Sequence, residues 1–281
     1  MKQALRVHRD GECSDLTGKR LREVIVRSGG EQIAAFFFAE DSPWFGHDGN
    51  LNYEPEVVDA MCRFVKPGDK VIDAGANIGF FTLLLSQLVG SDGSVMAFEP
   101  HPETYGELIC ALHFNAVNNV LPNEIALAQA DGHALLWALP RDSSGYSSLW
   151  PMFGATARSV QMRALDSILA PDWRPRLIKL DCEGAEEAIL RGAERTLRLG
   201  VDCVIVEFNF TMMRQTEQSE ATIREYLDAL GYQMFLLRRG GGRPMHIPIQ
   251  YELVAETCHN FMFATEELVT KAWGGFDGPR R

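Results

Sequence analysis

Val71-Ile72-Asp73-Ala74-Gly75-Ala76-Asn77-Ile78-Gly79-Phe80-Phe81-Thr82 is the stretch from which the fold can be read. A short apolar run ends in an acid, passes through a turn of small residues and opens into the apolar segment 80–88. That order predicts strand, tight loop and helix, the first half of a βαβ unit. Gly75 and Gly79 are expected to take positive φ and to let a ligand approach the backbone, because no Cβ intervenes. The helix start beyond Gly79 presents N–H groups without intrahelical partners. Twenty residues after Gly79, the apolar run 95–98 ends in Glu99-Pro100. An acid at the tip of the second strand is where doubly wound folds hold the ribose hydroxyls of a nucleoside.

The glycine spacing narrows the ligand. Dinucleotide fingerprints read G-x-G-x-x-G around a pyrophosphate, whereas this loop reads Asp73-x-Gly75-x-Asn77-x-Gly79. An acid and an amide suit a ligand carrying an ammonium and hydroxyls better than one carrying two phosphates, and S-adenosylmethionine is such a ligand. An NAD-dependent oxidoreductase would need the spacing that is absent.

Outward from this unit, the pattern alternates between strand and helix. Residues 21–26 and 33–38 read as a β-hairpin, followed by a Gly/Pro/Asn/Asp-rich loop over 41–52 holding Trp44, Phe45 and His47. Pro55 opens a helix whose apolar stripe is Val57, Val58, Met61 and Val65. A helix follows His101-Pro102, and 124–127 reads as the third strand. Two further strands, 133–138 and 159–163, flank a long polar stretch over 140–156 of the kind that serves as a lid or remains disordered. Strands are expected at 177–181 and 204–207, and helices after 185 and around 223–230. The last two strands fall at 232–237 and 260–263, with 240–248 as the loop between them.

Acids recur where these strands end. Asp73, Glu99, Asp181 and Glu207 therefore converge on one rim, the carboxyl edge where open α/β sheets bind ligands. Asp181 closes an apolar strand at the mouth of that cleft, and a carboxylate there can take the proton of a hydroxyl as a methyl group is transferred to it; such general bases contribute ~10²–10⁴-fold. Glu183 is the next candidate. Glu186 and Glu187 lie in a first helical turn, where acids complement the dipole. Lys179 either pairs with an acid or runs its stem along apolar surface. His101 and His47 have no partner acid specified by sequence. Asp181, Glu183 and Glu207 also have the chemistry to hold a divalent cation; the expectation is a metal-free site, because no third oxygen ligand is fixed nearby in sequence.

The 281-residue chain carries a net charge of −11 and a pI near 5.1. That balance argues against a polyanionic partner, since nucleic-acid binders concentrate Lys and Arg on one face. No apolar run approaches the ~20 residues that span a bilayer, and the N-terminus lacks the apolar core of a secretory signal. The six cysteines are widely spaced with no C-x-x-C pair, which reads as reduced thiols of a cytoplasmic protein.

The segments Tyr53-Glu54-Pro55-Glu56, Pro67-Gly68-Asp69, 71–82, Phe98-Glu99-Pro100, Ala126-Leu127, Leu165-Asp166-Ser167, Ile178-Lys179-Leu180-Asp181-Cys182-Glu183-Gly184-Ala185-Glu186 and Val206-Glu207 resemble the FkbM family of S-adenosylmethionine-dependent methyltransferases. The likeness runs from about residue 50 to 265, and Cys182 stands where the family usually has an aliphatic residue. It implies the class I, Rossmann-like α/β fold: a seven-stranded, mostly parallel sheet in the order 3-2-1-4-5-7-6, here with an N-terminal β-hairpin extension. Residues 1–52 would form the extension and 53–281 the methyltransferase domain. It also implies direct in-line methyl transfer to a hydroxyl of a sugar or secondary metabolite. Asp181 and Glu183 are the expected catalytic residues. Tyr53, Glu54, Asp73, Gly75, Asn77, Gly79, Glu99, Pro100 and Ala126 are the expected cofactor-binding residues. The expected partner is a small-molecule hydroxyl acceptor, with neither nucleic acid nor membrane, and a homodimer is left open. Acceptor choice would reside in the poorly covered 21–38 and 140–158 segments.

Overall fold

The computed structural model describes residues 6–7, 13–14, 20–28, 31–39, 53–139, 147–215, 219–253 and 257–278. Trp44, Phe45, His47 and the 140–146 part of the polar stretch lie outside them. The first strands, β1 (Arg6–Val7), β2 (Cys13–Ser14), β3 (Arg20–Ser28) and β4 (Glu31–Ala39), pair antiparallel in chain order. Strand alternation puts Val24, Val26, Ala34, Phe36 and Phe38 on a buried face. That face shares one apolar cluster with the helices that follow, α1 (Pro55–Phe64), α2 (Phe80–Val89) and α3 (Pro102–Phe114).

Strands β5 (Lys70–Ala74), β6 (Ser94–Phe98) and β7 (Val120–Asn123) open the central sheet. The chain then leaves it to build a second sheet from β8 (Ala126–Ala128), β9 (Gly132–Ala138), β10 (Ser147–Ser148) and β11 (Thr156–Ala164). It returns through α4 (Leu165–Ile168), β12 (Leu177–Leu180), α5 (Glu186–Arg191), α6 (Glu194–Arg198) and β13 (Cys203–Asn209). The last elements are α7 (Phe210–Gln215), α8 (Glu220–Asp228), β14 (Gln233–Leu236), β15 (Met245–Ile247), β16 (Cys258–Ala264) and α9 (Glu266–Trp273). Among the described residues, the central sheet has eight strands in the order β15-β14-β16-β13-β12-β5-β6-β7. From β7 to β13 they are parallel, and β16 runs antiparallel between β13 and β14.

Helices cover both faces of this sheet, so its central strands are apolar on both sides. All of β12 is buried, as is β5 after Lys70. Adjacent residues feed opposite cores: Val71, Leu177 and Ile205 pack toward α1, α2 and α3, while Ile72, Ile178 and Val204 pack toward α5, α6 and α8. Asp166, part of the Leu-Asp-Ser motif, ties the start of α6 by accepting from Arg195 N, Thr196 N and Thr196 Oγ1. That motif residue serves the fold.

The parallel edge strand, the inserted sheet and the C-terminal loop differ from the sequence reading. The third parallel strand is Val120–Asn123, not 124–127; Pro122 masks it, and proline is tolerated because β7 is an edge. Ala126–Ala128 belongs instead to the inserted sheet, parallel to β11. The segment read as loop over 240–248 contains β15, which is too short to show alternation and adds an eighth strand where seven were expected.

Candidate active site

A cavity of about 410 Å³ opens at the carboxyl ends of β5, β6, β12 and β13, within the range of small-molecule sites. Tyr53, Glu54, Gly75, Asn77, Glu99, Pro100, Ala126, Asp181 and Glu183 line it. Asp73 and Gly79 do not. Asp73 is fully buried beneath it, accepting from Thr82 Oγ1 at 2.6 Å with Lys179 Nζ 3.9 Å away. Gly79 has φ +100, and a Cβ there would lie 2.7 Å from Leu108 Cδ1; its glycine serves the contact between α2 and α3. Gly75 does line the cavity, yet the protein's own backbone is what demands a glycine. A Cβ at its φ of +75 would fall 1.8 Å from the Asp181 carbonyl oxygen.

At one end stands Glu99, only 5% exposed. Its Oε2 accepts from Asn77 N at 3.0 Å and its Oε1 from His101 N at 2.9 Å. The loop after β5 and the start of α3 thus share one carboxylate. Asn77 makes this geometry by adopting φ +50, with its own Oδ1 accepting from Ile78 N. Burial pushes the Glu99 carboxyl up to about 7 despite those two N–H donors. Each oxygen keeps a lone pair for a further donor. Phe98, Ile125, Leu127 and Ile189 add apolar wall to the same cavity.

The other end is crowded with acids. One carboxylate oxygen from each of Asp181, Glu183 and Glu207 lies within 4.8 Å of the others. Burial, reinforced by Asp181, raises Glu54 to about 7, Glu183 to about 8 and Glu207 to about 10. Lys179, 2% exposed, places Nζ 3.1 Å from Asp181 Oδ2 and over the Phe81 ring. Burial works against its charge, but Asp181 and Asp73 outweigh that and hold its pKa above the ordinary lysine value. The lysine pairs with acids. Glu186 does more than complement a helix dipole: it is buried and accepts from Cys182 N and Gly184 N, closing the turn that follows Asp181.

Glu207, expected on the rim and as a candidate cation ligand, lines the cavity, and other residues around it escaped the sequence reading. Asn209, two residues on, donates to Glu183 Oε2 at 2.7 Å. Ser148, Arg239 and Cys258 reach the cavity from the inserted sheet and the β14–β16 side, and no pattern of spacing announces them. Among the described residues, no helix is long and apolar enough to cross a membrane.

Does this cavity fit the nucleoside sulfonium expected from sequence? The Glu99 carboxylate has lone pairs for paired hydroxyls, the apolar wall suits a planar base, and the acid cluster suits positive charge. The donor set fits.

A doubly wound α/β sheet with an acid-tipped second strand and a ligand-sized crevice at its carboxyl edge is the arrangement of the Rossmann-like class. The family model described as "Methyltransferase FkbM domain" matches residues 73–234, over half of the chain. The chain belongs to that family. It is 27% identical over 161 residues to hexuronic acid methyltransferase AglP of Haloferax volcanii, covering 57% of this chain and 64% of that one. It is 26% identical over 190 residues to methyltransferase 1 of Beauveria bassiana, covering 60% and 74%. A solved FkbM methyltransferase from Methylobacillus flagellatus aligns at a TM-score of 0.46 and 17% identity, over 73% of this chain and half of that chain. The chain thus spans less than two thirds of AglP.

Proposed function

We propose that this protein is an S-adenosylmethionine-dependent O-methyltransferase acting on a hydroxyl of a sugar or a related secondary metabolite. The observation that carries the reading is one cavity holding a hydroxyl-accepting carboxylate, Glu99, at one end and the Asp181–Glu183–Glu207 cluster at the other. The name of the Haloferax volcanii relative supports a sugar acid as the acceptor class.

In this reading Glu99 accepts the ribose hydroxyls, held in place by Asn77 N and His101 N. Tyr53, braced on Phe80 and Phe81, closes the wall beside Glu54. The cofactor supplies an electrophilic methyl group on a sulfonium. Asp181 takes the proton from the acceptor hydroxyl, and Lys179 fixes the orientation of its carboxylate. Glu183, anchored by Asn209, lies within reach of the same proton. Positioning both reactants accounts for the larger share of the rate, ~7–11 kcal/mol.

The test is release of S-adenosylhomocysteine in the presence of a panel of hexuronic acids, neutral sugars and phenols. Turnover with none of them, in a protein that binds S-adenosylhomocysteine, would reduce the reading to a binding module. A second reading follows from the spacing of the three carboxylates, which suits a divalent cation. Activity abolished by exhaustive chelation and restored by Mg²⁺ or Mn²⁺ would establish that reading over the metal-free one.

A further inference from the structure

The inserted sheet does more than roof the cavity: it grips the turn that carries Glu183. Ser148, 1% exposed, donates its hydroxyl to the Glu183 carbonyl at 2.7 Å and accepts from Trp150 N at 3.2 Å. Trp150 Nε1 donates to the next carbonyl, that of Gly184, at 3.4 Å. The turn so held is strained. Glu183 sits at φ +50, a left-handed conformation in a residue with a Cβ, and Gly184 follows at φ +99. Such conformations persist where the surroundings over-determine them. Here the restraints come from three separate elements. Glu186 holds Cys182 N and Gly184 N from α5; Asn209, at the end of β13, holds the Glu183 carboxylate; and Ser148 of β10 holds the Glu183 carbonyl.

We propose that Ser148 and Trp150 are positioning residues, which fix the 182–184 turn and thereby the place of the Glu183 carboxylate in the cavity. This rests on the reading above only in giving that carboxylate a part in methyl transfer. The consequence is a mechanical link. Leu136, Ser147 and Leu149 put the inserted sheet on the cavity wall, and β10 is paired to β9 through Ser148 and Trp137. An acceptor that shifts this wall therefore shifts the carboxylate with it. The β9–β11 insertion becomes the part of the chain that couples acceptor fit to the acid cluster.

Hydrogen exchange on the full chain, read in the peptide spanning residues 181–187, tests the grip without needing an acceptor. In Ser148→Ala the amides of Cys182, Gly184 and Ala185 should exchange about tenfold faster, the loss expected for one buried hydrogen bond, with the rest of the chain unchanged. Trp150→Phe, which removes a longer bond, should raise exchange of the same peptide about twofold to threefold. Where the wild type methylates a hexuronic acid probe, Ser148→Ala should lower kcat about tenfold while S-adenosylhomocysteine affinity, measured by calorimetry, holds. Unchanged exchange in 181–187 would overturn the proposal. So would a rise spread evenly over the chain, which would make Ser148 an ordinary core contact. If the wild type transfers no methyl group to any probe, the proposed function falls, yet the exchange result still decides whether the grip exists.

Discussion

The two ends of the cavity use the same residue types to opposite effect. At the β6 end a single carboxylate, Glu99, is met by two backbone N–H groups and set beside apolar wall. At the β12–β13 end Asp181 faces Glu54, Glu183 and Glu207, with Lys179 and Asn209 as the donors that temper the crowding. A lone carboxylate with spare lone pairs suits neutral hydroxyls. A crowd of carboxyls, several with raised pKa values, suits a cation or a moving proton. The difference teaches that a strand-end acid acquires its role from the backbone and neighbours around it, so each end breaks under a different substitution.

The largest effect expected is on the wall between the ends. Gly75→Val must place a branched side chain at φ +75 against the Asp181 carbonyl, which is backbone and cannot swing aside. We expect loss of folding, or destabilisation beyond ~4 kcal/mol, by chemical denaturation. Gly79→Ala strains the backbone at φ +100 and crowds the far end of the Leu108 side chain rather than backbone, and should cost about 1–3 kcal/mol. A Gly75→Val protein of wild-type stability that merely fails to bind S-adenosylhomocysteine would mean that the glycine is there for the ligand.

Next in size is the acid-rich end. Asp181→Asn keeps shape and hydrogen-bonding capacity but loses proton affinity, so turnover should fall ~10²–10⁴-fold with cofactor affinity nearly unchanged. Steady-state kinetics beside calorimetry separate the two. Full activity in this variant would remove Asp181 as the base and direct attention to Glu183. A large loss of affinity instead would mean that the two ends are not functionally distinct.

Much of this architecture was legible because its signals are local. The strand–glycine–helix unit and the acids that close 95–98, 177–181 and 204–207 are runs that any α/β sheet must show, with both faces buried. What escaped depends on long-range pairing. Val120–Asn123 looks like a turn until β6 is placed beside it, and Met245–Ile247 is a strand only by virtue of β14. The site divides the same way. Glu99 and Asp181 announce themselves at strand ends, whereas Ser148 and Asn209 matter through partners 35 and 26 residues away. The glycines divide too: both take the expected positive φ, Gly75 lines the cavity while Gly79 does not, and an added Cβ would meet Asp181 at the first and Leu108 at the second.

A smaller effect is expected at the Glu99 end. Glu99→Ala removes a charged acceptor whose bonds are worth ~1.5–3 kcal/mol and should weaken S-adenosylmethionine binding roughly 10- to 150-fold. The variant also frees Asn77 N and His101 N, so its melting temperature should fall somewhat. Unchanged affinity in a folded variant would detach the ribose from this carboxylate and leave the acid-rich end as the sole binding determinant.

The subtlest expectation concerns protons, and it distinguishes the ends in one measurement. Burial first, and Asp181 second for Glu54 and Glu183, lift Glu99 and Glu54 to about 7 and Glu183 to about 8, from an ordinary 4.5. A raised folded-state value favours the protonated form, so the associated stability is fully present below pH 4.5 and is lost as pH rises through 7 to 8. The ligand-free protein should therefore melt at a lower temperature at pH ~8.5 than at pH ~5.5. Hydroxyls donated to Glu99 favour its charged form and lower its pKa, so near pH 7 binding should release about half a proton from this residue. Calorimetry of S-adenosylhomocysteine binding in two buffers of different ionisation enthalpy counts that proton. Glu99→Gln should lose the corresponding share and keep whatever the acid cluster releases. Identical proton release in the wild type and Glu99→Gln would assign all of the linkage to the Asp181 end and reverse the roles given to the two carboxylate sites.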